Sequence, residues 1–316
     1  MQIGSFRSEE VEELVEVWNR SLTADPISPE RLEARVLLDP NFREELCPVA
    51  REGGKLVGFV LGIFGEGFHF PDGPSGKRAW ILAVAVDPEH RGKGVGSELL
   101  REVERRFKDA GMKDIWISSY PTAYIVPGVD EAAYPEGMRF LRARGYRVVS
   151  QAISMDASIW PPELPEWVSE REERLSSQGI HFLSYIPRLL SAFRRFLRSH
   201  VQWDWEWLAL RNLSRVHEGT FSPDQFILAV KGEEVVGYCQ YEGEHFGPFG
   251  VAEGFRGMGI GSVLLGRALI SMMSKGLHNA WVLWTGGDAA RLYSRFGFRE
   301  SRRFSILYKG LRWERG

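Results

Sequence analysis

Residues 90–100 have the sequence HRGKGVGSELL, in which three glycines fall within five positions directly before an apolar helical pattern. A near-copy, FRGMGIGSVLL, begins at Phe255. Glycines spaced this closely leave backbone N–H groups uncovered, and a helix that follows them adds the positive end of its dipole. The pattern is typical of a loop that holds phosphate, and the chain contains two such loops.

Both loops differ from two widespread phosphate-binding motifs. A Walker A loop needs GxxxxGK followed by Ser or Thr, and a dinucleotide-binding loop needs GxGxxG. Neither RGKGVGS nor RGMGIGS satisfies these patterns. We therefore expect a phosphate-containing ligand of another kind, and the alternative is a glycine-rich tight turn that holds no ligand.

The two loops belong to a longer internal repeat, because Arg91, Gly111 and Trp116 each have an identical residue 165 positions later. In both copies a hairpin and a strand precede the loop, and a helix and a second strand follow it. Strand, helix and strand in this order imply parallel pairing with a right-handed crossover. The sequence predicts an α/β fold of two tandem domains, each a mixed, mostly antiparallel sheet with a central parallel strand pair flanked by helices.

The length of 316 residues suits two domains of ordinary size. Between the copies, the segment IWPPELPEW disfavours regular structure, so we place a linker near residues 160–166. The predicted domains are residues 1–159 and 160–316. The second domain is expected to start with a strand near residues 179–185, followed by two helices.

Composition and charge limit the possible partners. No apolar run approaches the ~20 residues that span a bilayer, and the N-terminus lacks the pattern of a secretory signal, so we expect a cytoplasmic protein without a membrane partner. A formal net charge of −2 gives no basic footprint for nucleic acid. Cys47 and Cys239 lie far apart without CxxC spacing, so we expect buried thiols and no metal site.

The spacing RxxGxG, at Arg91, Gly94 and Gly96 and again 165 residues later, resembles the acetyl-CoA loop of the GNAT acetyltransferase superfamily. The resemblance covers nearly the whole chain. It implies acetyl-CoA as cosubstrate, with its pyrophosphate on the loop amides and its pantetheine arm on the preceding strand. The implied binding residues are Ala85, Val86, Arg91, Gly92, Lys93, Gly94, Val95, Gly96 and Ser97 in the first copy, and Gly250, Val251, Arg256, Gly257, Met258, Gly259, Ile260, Gly261 and Ser262 in the second.

The resemblance further implies that the sheet parts beside the strand that enters each loop. In the second copy, Gly247, Pro248 and Gly250 interrupt that strand. Proline has no N–H to donate to a neighbouring strand, so this run suits a bulged strand that leaves its neighbour. A simple edge strand is the alternative interpretation.

Acetyl transfer to an amine needs a group that accepts the proton of the amine, and the departing thiolate benefits from a proton donor. Members of the superfamily often carry a tyrosine four residues before a Gly-Phe pair, and AARLYSRFGF places Tyr293 there. An ordinary core tyrosine is the alternative. The matching residue of the first copy is Leu141, which has no proton to donate.

For the base, members often use a glutamate early on the strand that enters the loop. His245, flanked by Glu244, stands at that position in the second copy, whereas the first copy has Trp80. His245 and Glu244 are therefore the candidate bases, with Glu242 as a further carboxylate, and the alternative is that they are surface turn residues. These differences predict that the second domain is the enzyme and that the first is catalytically degenerate.

Two features leave the first domain's role open. Its loops around FGEGFHFPDGPSGK and YPTAYIVPGVDEAAYP are enlarged, and Tyr124, Tyr134 or His69 on them would restore a catalytic group. It also keeps an intact glycine loop, so CoA binding without transfer is expected there.

The segment VQWDWEW, residues 201–207, lies in the helical region that by resemblance covers the acceptor site. Aromatic faces beside Asp204 and Glu206 suit a cationic amine or an amino sugar. The alternative is a core corner with Trp203 and Trp207 one helical turn apart and the acids in solvent.

The expected function is acetyl-CoA-dependent N-acetylation of a primary amine of a small molecule, with an unknown oligomeric state. The tandem arrangement also resembles mycothiol synthase, which would imply an amino-sugar thiol precursor as acceptor. A non-catalytic acyl-CoA sensor or interaction protein, in which both loops bind ligand and neither domain turns it over, is the alternative from another class.

Overall fold

The protein is described by a computed structural model over residues 1–65, 77–120, 122–159 and 165–311. The candidate His69 and residues 160–164 of the predicted linker lie outside these ranges. The chain forms two compact units. The first unit contains residues 1–152 and the residues from Arg303 onward, and the second unit is Ile153–Arg302.

The helices and strands follow the order expected from the repeat. The first half of the chain contains β1 (Gln2–Ser5), α1 (Val11–Ser21), α2 (Pro29–Leu32), β2 (Pro48–Glu52), β3 (Lys55–Ile63), β4 (Arg78–Val86), α3 (Val95–Asp109), β5 (Asp114–Ile117), β6 (Val129–Asp130), α4 (Pro135–Arg142) and β7 (Arg147–Ser158). The second half contains α5 (Glu166–Ser177), β8 (Ile180–Ser184), α6 (Leu190–His200), α7 (Trp203–His217), β9 (Phe226–Lys231), β10 (Glu234–Glu242), β11 (His245–Val251), α8 (Ile260–Ser274), β12 (Asn279–Thr285), α9 (Gly287–Ser294) and β13 (Arg299–Gly310).

The sheet of the first unit has the order β1-β2-β3-β4-β5-β13, and the short β6 also pairs with β13. All neighbours are antiparallel except β4 and β5, which pair in parallel from Arg78/Asp114 to Ile81/Ile117. β5 ends at Ile117, whereas β4 continues to Val86. The predicted parallel pair therefore lies at the centre of the sheet and parts towards the glycine loop.

The second unit repeats this plan with the order β8-β9-β10-β11-β12-β7. Here the parallel pair is β11 and β12, and its register contains the single pair His245/Trp281. The hairpins β2-β3 and β9-β10 precede the parting strands in both units, as the sequence predicts.

The division into units differs from the predicted boundary at residues 159 and 160. Residues 153–158 of β7 pair with β12 in the second unit, and residues 307–310 of β13 pair with β5 in the first. Each unit is therefore completed by a strand from the other half of the chain. β7 and β13 occupy equivalent positions in the two repeats, so the local sequence of each strand suits either sheet. Tertiary pairing determines which sheet each strand joins.

Helices cover both faces of each sheet, and the two crossover helices are buried to different degrees. α3 buries one stripe of apolar side chains, and Ala110, which follows its last residue, is exposed. α8 buries apolar residues around most of its circumference. A helix that is apolar on all sides needs cover on all sides. α5 supplies that cover, with Glu172 ion-paired to Arg267, and none of the described helices of the first half corresponds to it.

Candidate functional site

Each glycine loop depends on backbone angles that other residues rarely adopt. Gly92 and Gly94 have φ of +73° and +89°, and Gly257 and Gly259 have φ of +79° and +96°. The second glycine of each pair is the N-cap of the following helix and makes no side-chain cap. Glycine is therefore required at these positions, since a side chain would be strained at positive φ.

The loops present rows of free hydrogen-bond donors. Within the part of the chain that the structure describes, no oxygen accepts from the backbone N–H groups of residues 92–96 or 257–261. Five consecutive N–H groups at a helix N-terminus form an electropositive cradle. Both loops therefore fit a diphosphate, as expected of a CoA-binding loop.

The arginine that precedes the glycines in both repeats has a structural role. Arg91 Nε donates to the carbonyl of Val86 at 3.1 Å, and Arg256 Nε donates to the carbonyl of Val251 at 3.2 Å. Each guanidinium thus ties the loop to the end of the strand before it. The arginines position the loop, and the free donors belong to the residues after them.

A second arginine approaches each loop through the serine of the first helical turn. Arg144 donates to Ser97 in the first unit, and Arg171 Nη1 lies 3.4 Å from Ser262 Oγ in the second. The two arginines come from different elements, because Arg144 follows α4 whereas Arg171 lies on α5. Neither arginine is part of the repeated motif, so the sequence pattern alone does not identify them.

The second loop carries a larger cationic cluster. Arg171 and Arg295 lie over the ring of Trp167, 5.3 and 4.4 Å from its centroid, and Arg174 Nη2 lies 3.5 Å from the carbonyl of Met258. Burial, together with repulsion from Arg295 and Arg174, lowers the pKa of Arg171. No described carboxylate forms an ion pair with these three guanidiniums. The cluster therefore favours a ligand with several negative charges.

The predicted interruption of the second unit's strand coincides with a β-bulge. The register between β10 and β11 shifts between Cys239 and Tyr241, and the peptide bond Gly247–Pro248 is cis. Beyond His245, the β12-facing edge of β11 has no pairing partner in the described register. The unpaired edge runs towards Val251 and leads to the glycine loop.

Tyr293 lies on α9 beside this opening. Its ring packs against Phe246, Phe249 and Phe298, with centroid distances of 5.9, 6.2 and 5.5 Å, and the residue is 5% exposed. Burial raises the pKa of its phenol, and none of the described side chains hydrogen-bonds the hydroxyl. Tyr293 is therefore a protonated phenol with a free donor.

His245 and Tyr293 are not in contact. Phe246 faces Tyr293, and successive strand residues alternate between the two faces of a sheet, so His245 points to the opposite face. There its ring packs on Trp281 with a centroid distance of 4.3 Å. The two candidates thus lie on opposite sides of the same opening.

The neighbouring carboxylates have local partners. Glu244 lies in the exposed turn before β11 and accepts a hydrogen bond from Asn279 Nδ2 at 3.2 Å. Glu242 pairs with Arg215 of α7 at 2.8 Å. Of the three predicted bases, His245 and Glu242 occupy paired positions of β11 and β10, and Glu244 lies in the turn between them.

In the first unit, the positions that match the candidates are apolar and packed. Trp80 is buried edge-on against Tyr120 at 5.0 Å, and Leu141 is buried in the core under α3. Tyr134 donates to Asp25 Oδ2 at 2.7 Å and so holds its loop to the end of α1. Tyr124 is half-buried.

The aromatic segment at the start of α7 is half-buried, and its two acids differ. Glu206 pairs with Arg198 at 3.4 Å near the surface. One carboxylate oxygen of Asp204 is buried and has no hydrogen-bond partner among the described residues. The interpretation that places both acids in solvent is therefore wrong for Asp204.

Two family models match the chain, one on each repeat. The acetyltransferase (GNAT) family matches residues 9–123, and an acetyltransferase (GNAT) domain matches residues 222–300. The chain belongs to the GNAT acetyltransferase family. It is a tandem GNAT protein, and both matches include a glycine loop.

Similar proteins agree with this assignment. An acetyltransferase of Photorhabdus laumondii subsp. laumondii is 29% identical over 117 residues, which are 36% of this chain and 72% of that protein. A GCN5-related N-acetyltransferase from Sphaerobacter thermophilus has a TM-score of 0.69 at 19% identity, covering 98% of this chain and 96% of that one. A tandem GNAT protein from the clavulanic acid biosynthesis pathway has a TM-score of 0.65 at 14% identity, covering 99% of both chains.

A structure of a fungal protein is also similar to this chain. A GCN5-related glucosamine N-acetyltransferase region of a multi-domain GH3 β-N-acetylglucosaminidase has a TM-score of 0.79 at 19% identity, and the match covers 98% of this chain. This chain spans 38% of the length of that protein. At these identities the structures show the fold, and they confirm the predicted tandem α/β architecture.

Three further features concern membrane-spanning helices, metal sites and the two cysteines. Over the described ranges, no helix has the length and apolarity to cross a bilayer, and no group of three or more His, Cys, Asp or Glu side chains is arranged to hold a metal ion. Cys47 and Cys239 are free, buried thiols. Burial raises the pKa of Cys47 to about 12, so it stays protonated at neutral pH.

Proposed function

We propose that this protein transfers the acetyl group of acetyl-CoA to a primary amine of a small molecule, and that the second unit carries out the reaction. The observation that carries the proposal is the opening of the second sheet. Its unpaired edge of β11 runs from the phenol of Tyr293 to the free N–H groups of residues 257–261. An extended pantetheine arm can donate to and accept from such an edge.

The two sides of the opening suit the two proton transfers of the reaction. Acetyl-CoA supplies the thioester whose carbonyl carbon the amine attacks, and the C–S bond breaks as the C–N bond forms. Tyr293 would donate its proton to the departing thiolate from the α9 side. His245 would accept the proton of the amine from the opposite side, directly or through water.

The first unit supports binding without transfer. Its loop has free N–H groups, and Arg144 lies on Ser97, so it can hold the phosphates of CoA. Trp80 and Leu141 replace the groups that would move protons. We therefore propose two CoA sites in each chain, of which one turns over.

The test is a screen of amines for acetyl-dependent release of CoA, followed by mass detection of the acetylated product. The panel includes polyamines, amino acids, glucosamine and an amino-sugar thiol, because a fungal relative of this fold is named for glucosamine acetylation. Product from any amine supports the proposal. If CoA binds and no amine is acetylated, the protein is an acyl-CoA sensor.

Replacing Arg171 with Ala is expected to weaken acetyl-CoA binding at the second unit roughly 10- to 100-fold. A charge-assisted hydrogen bond contributes about 1.5–3 kcal/mol, and removal of Arg171 takes one cation from the second loop. Isothermal titration calorimetry should resolve two sites in the wild type. Arg144→Ala is the matched control, because it should weaken binding at the first site and leave the second site unchanged. Equal affinities of the second site in Arg171→Ala and wild type would contradict a role of Arg171 in binding acetyl-CoA.

A further inference from the structure

Four buried polar side-chain atoms in the second unit have no hydrogen-bond partner among the described residues. They are Asp204 Oδ1, Tyr238 Oη, Gln240 Oε1 and, at the end of β12, Thr285 Oγ1. Tyr238 is 0% exposed and Gln240 is 2% exposed. Buried polar groups in native proteins are almost always paired with protein, water or a ligand. The first three, on α7 and β10, therefore indicate a missing hydrogen-bonding partner.

These three residues face the same side of the sheet. Cys239 packs in the core under α8, so its neighbours Tyr238 and Gln240 on β10 face the α6 and α7 side. The ring of Tyr238 contacts Phe193 and Phe196 of α6. Asp204 lies in the first turn of α7.

Asp204 and Tyr238 also interact electrostatically. Burial is the main cause that raises the pKa of the Tyr238 phenol, and the charges of Cys239 and Asp204 raise it further. Burial likewise raises the pKa of the Asp204 carboxyl. The two side chains therefore belong to one polar cluster, and neither Asp204 Oδ1 nor Tyr238 Oη has a hydrogen-bond partner among the described residues.

The cluster lies beside the parted strand. Tyr238 pairs with Gly250 of β11, and Gln240 comes next to the bulge that contains Pro248. A Cβ placed on Gly250 would be 3.3 Å from Val201 and 3.9 Å from the ring of Tyr238, so the connection between α6 and α7 and the Tyr238 ring both approach β11 there. This is the side of the opening opposite Tyr293, where His245 points.

The first unit shows that the fold does not need polar residues here. Gly58 pairs with Val86 as Gly237 pairs with Val251, so Phe59 and Leu61 occupy the positions of Tyr238 and Gln240. Both are buried and apolar, and Trp18 stacks on Phe59 at 5.8 Å. The polar pair is thus specific to the unit that carries Tyr293.

We propose that Asp204, Tyr238 and Gln240 bind the amino group of the acceptor, and that the acceptor is a cationic amine. This inference rests on the proposed function. An alkylammonium has three N–H donors, and a carboxylate, an amide carbonyl and a phenol oxygen provide three acceptors. The negative charge of Asp204 selects a cation, and the remaining two acceptors orient it before it loses its proton and attacks.

The test is steady-state kinetics with the best amine of the panel. Asp204→Asn and the double variant Tyr238→Phe with Gln240→Leu should each raise the KM for the amine at least 10-fold, while the KM for acetyl-CoA changes less than 2-fold. Glu218→Gln, at the other end of α7, is the control and should match the wild type. The double variant copies the first unit's residues, so it should fold.

Urea unfolding separates this role from a structural one. Asp204→Asn removes a buried charge that no described cation neutralises, so its urea midpoint should equal or exceed that of the wild type. A lower midpoint with unchanged KM for the amine would show a structural cluster and overturn the inference. If the wild type acetylates an amine and the variants keep the KM for that amine within 2-fold of the wild type, the inference is overturned and the proposed function stands. If the wild type acetylates no amine, the proposed function is overturned as well.

Discussion

Tyr293→Phe is expected to lower turnover about 100-fold or more while leaving the affinity for acetyl-CoA within 2-fold. The hydroxyl acts on charge that develops on the thiolate in the transition state, and a positioned proton donor contributes about 10²–10⁴-fold. Phenylalanine keeps the ring that packs against Phe246, Phe249 and Phe298. The measurements are single-turnover acetyl transfer and calorimetric binding of acetyl-CoA.

Tyr241→Phe is the matched control for this substitution. Tyr241 is also a buried tyrosine of the second unit, but its hydroxyl hydrogen-bonds Ser271 Oγ at 2.6 Å, under the crossover helix. Its loss should cost about 1 kcal/mol of stability and leave turnover unchanged. Full turnover in Tyr293→Phe would remove the phenol from the mechanism and reopen the assignment of the second unit as the enzyme.

Ending the chain at residue 302 is expected to unfold the first unit and to leave the second folded. The deletion removes the β13 residues that pair with β5 and the buried side chains of Phe304, Ile306 and Leu307. Burial of each such side chain contributes roughly 1.5–3 kcal/mol. The total approaches the 5–15 kcal/mol by which a typical domain is stable.

Amide hydrogen exchange would measure this effect in each unit separately. In the shortened chain, the amides of β5 should lose protection, whereas those of β9 and β10 should keep it. A synthetic peptide of residues 299–311 should restore protection of β5 by adding the missing strand. Protection of β5 in the shortened chain without the peptide would show that β13 is dispensable.

Much of the fold follows from local sequence. Apolar periodicity identifies the crossover helices and the strands on either side, and Gly111 and Gly276 mark the turns just after the helix ends. These features depend only on residues a few positions apart in the chain. They therefore recur in both copies of the repeat. The exchange of β7 and β13 was not predicted, because equivalent strands with similar local patterns can join either sheet.

The candidate site was predictable where it repeats and not where it differs. The glycine loops and Tyr293 follow from spacing within the motif. Arg171 lies on α5, to which no described helix of the first copy corresponds, so comparison of the copies could not reveal it. Tyr238 and Gln240 did leave a signal, since they replace Phe59 and Leu61 in aligned hairpins.

The strand that completes the first unit also affects the order in which a ribosome-bound chain can fold. Ile117 of β5 and its partner Leu307 of β13 are 190 residues apart in the chain. Translation therefore produces every strand of the second unit before the last strand of the first. Until residues 303–310 emerge, β5 has an open hydrogen-bonding edge that another chain could pair with. The N-terminal domain is thus begun first during synthesis and finished last.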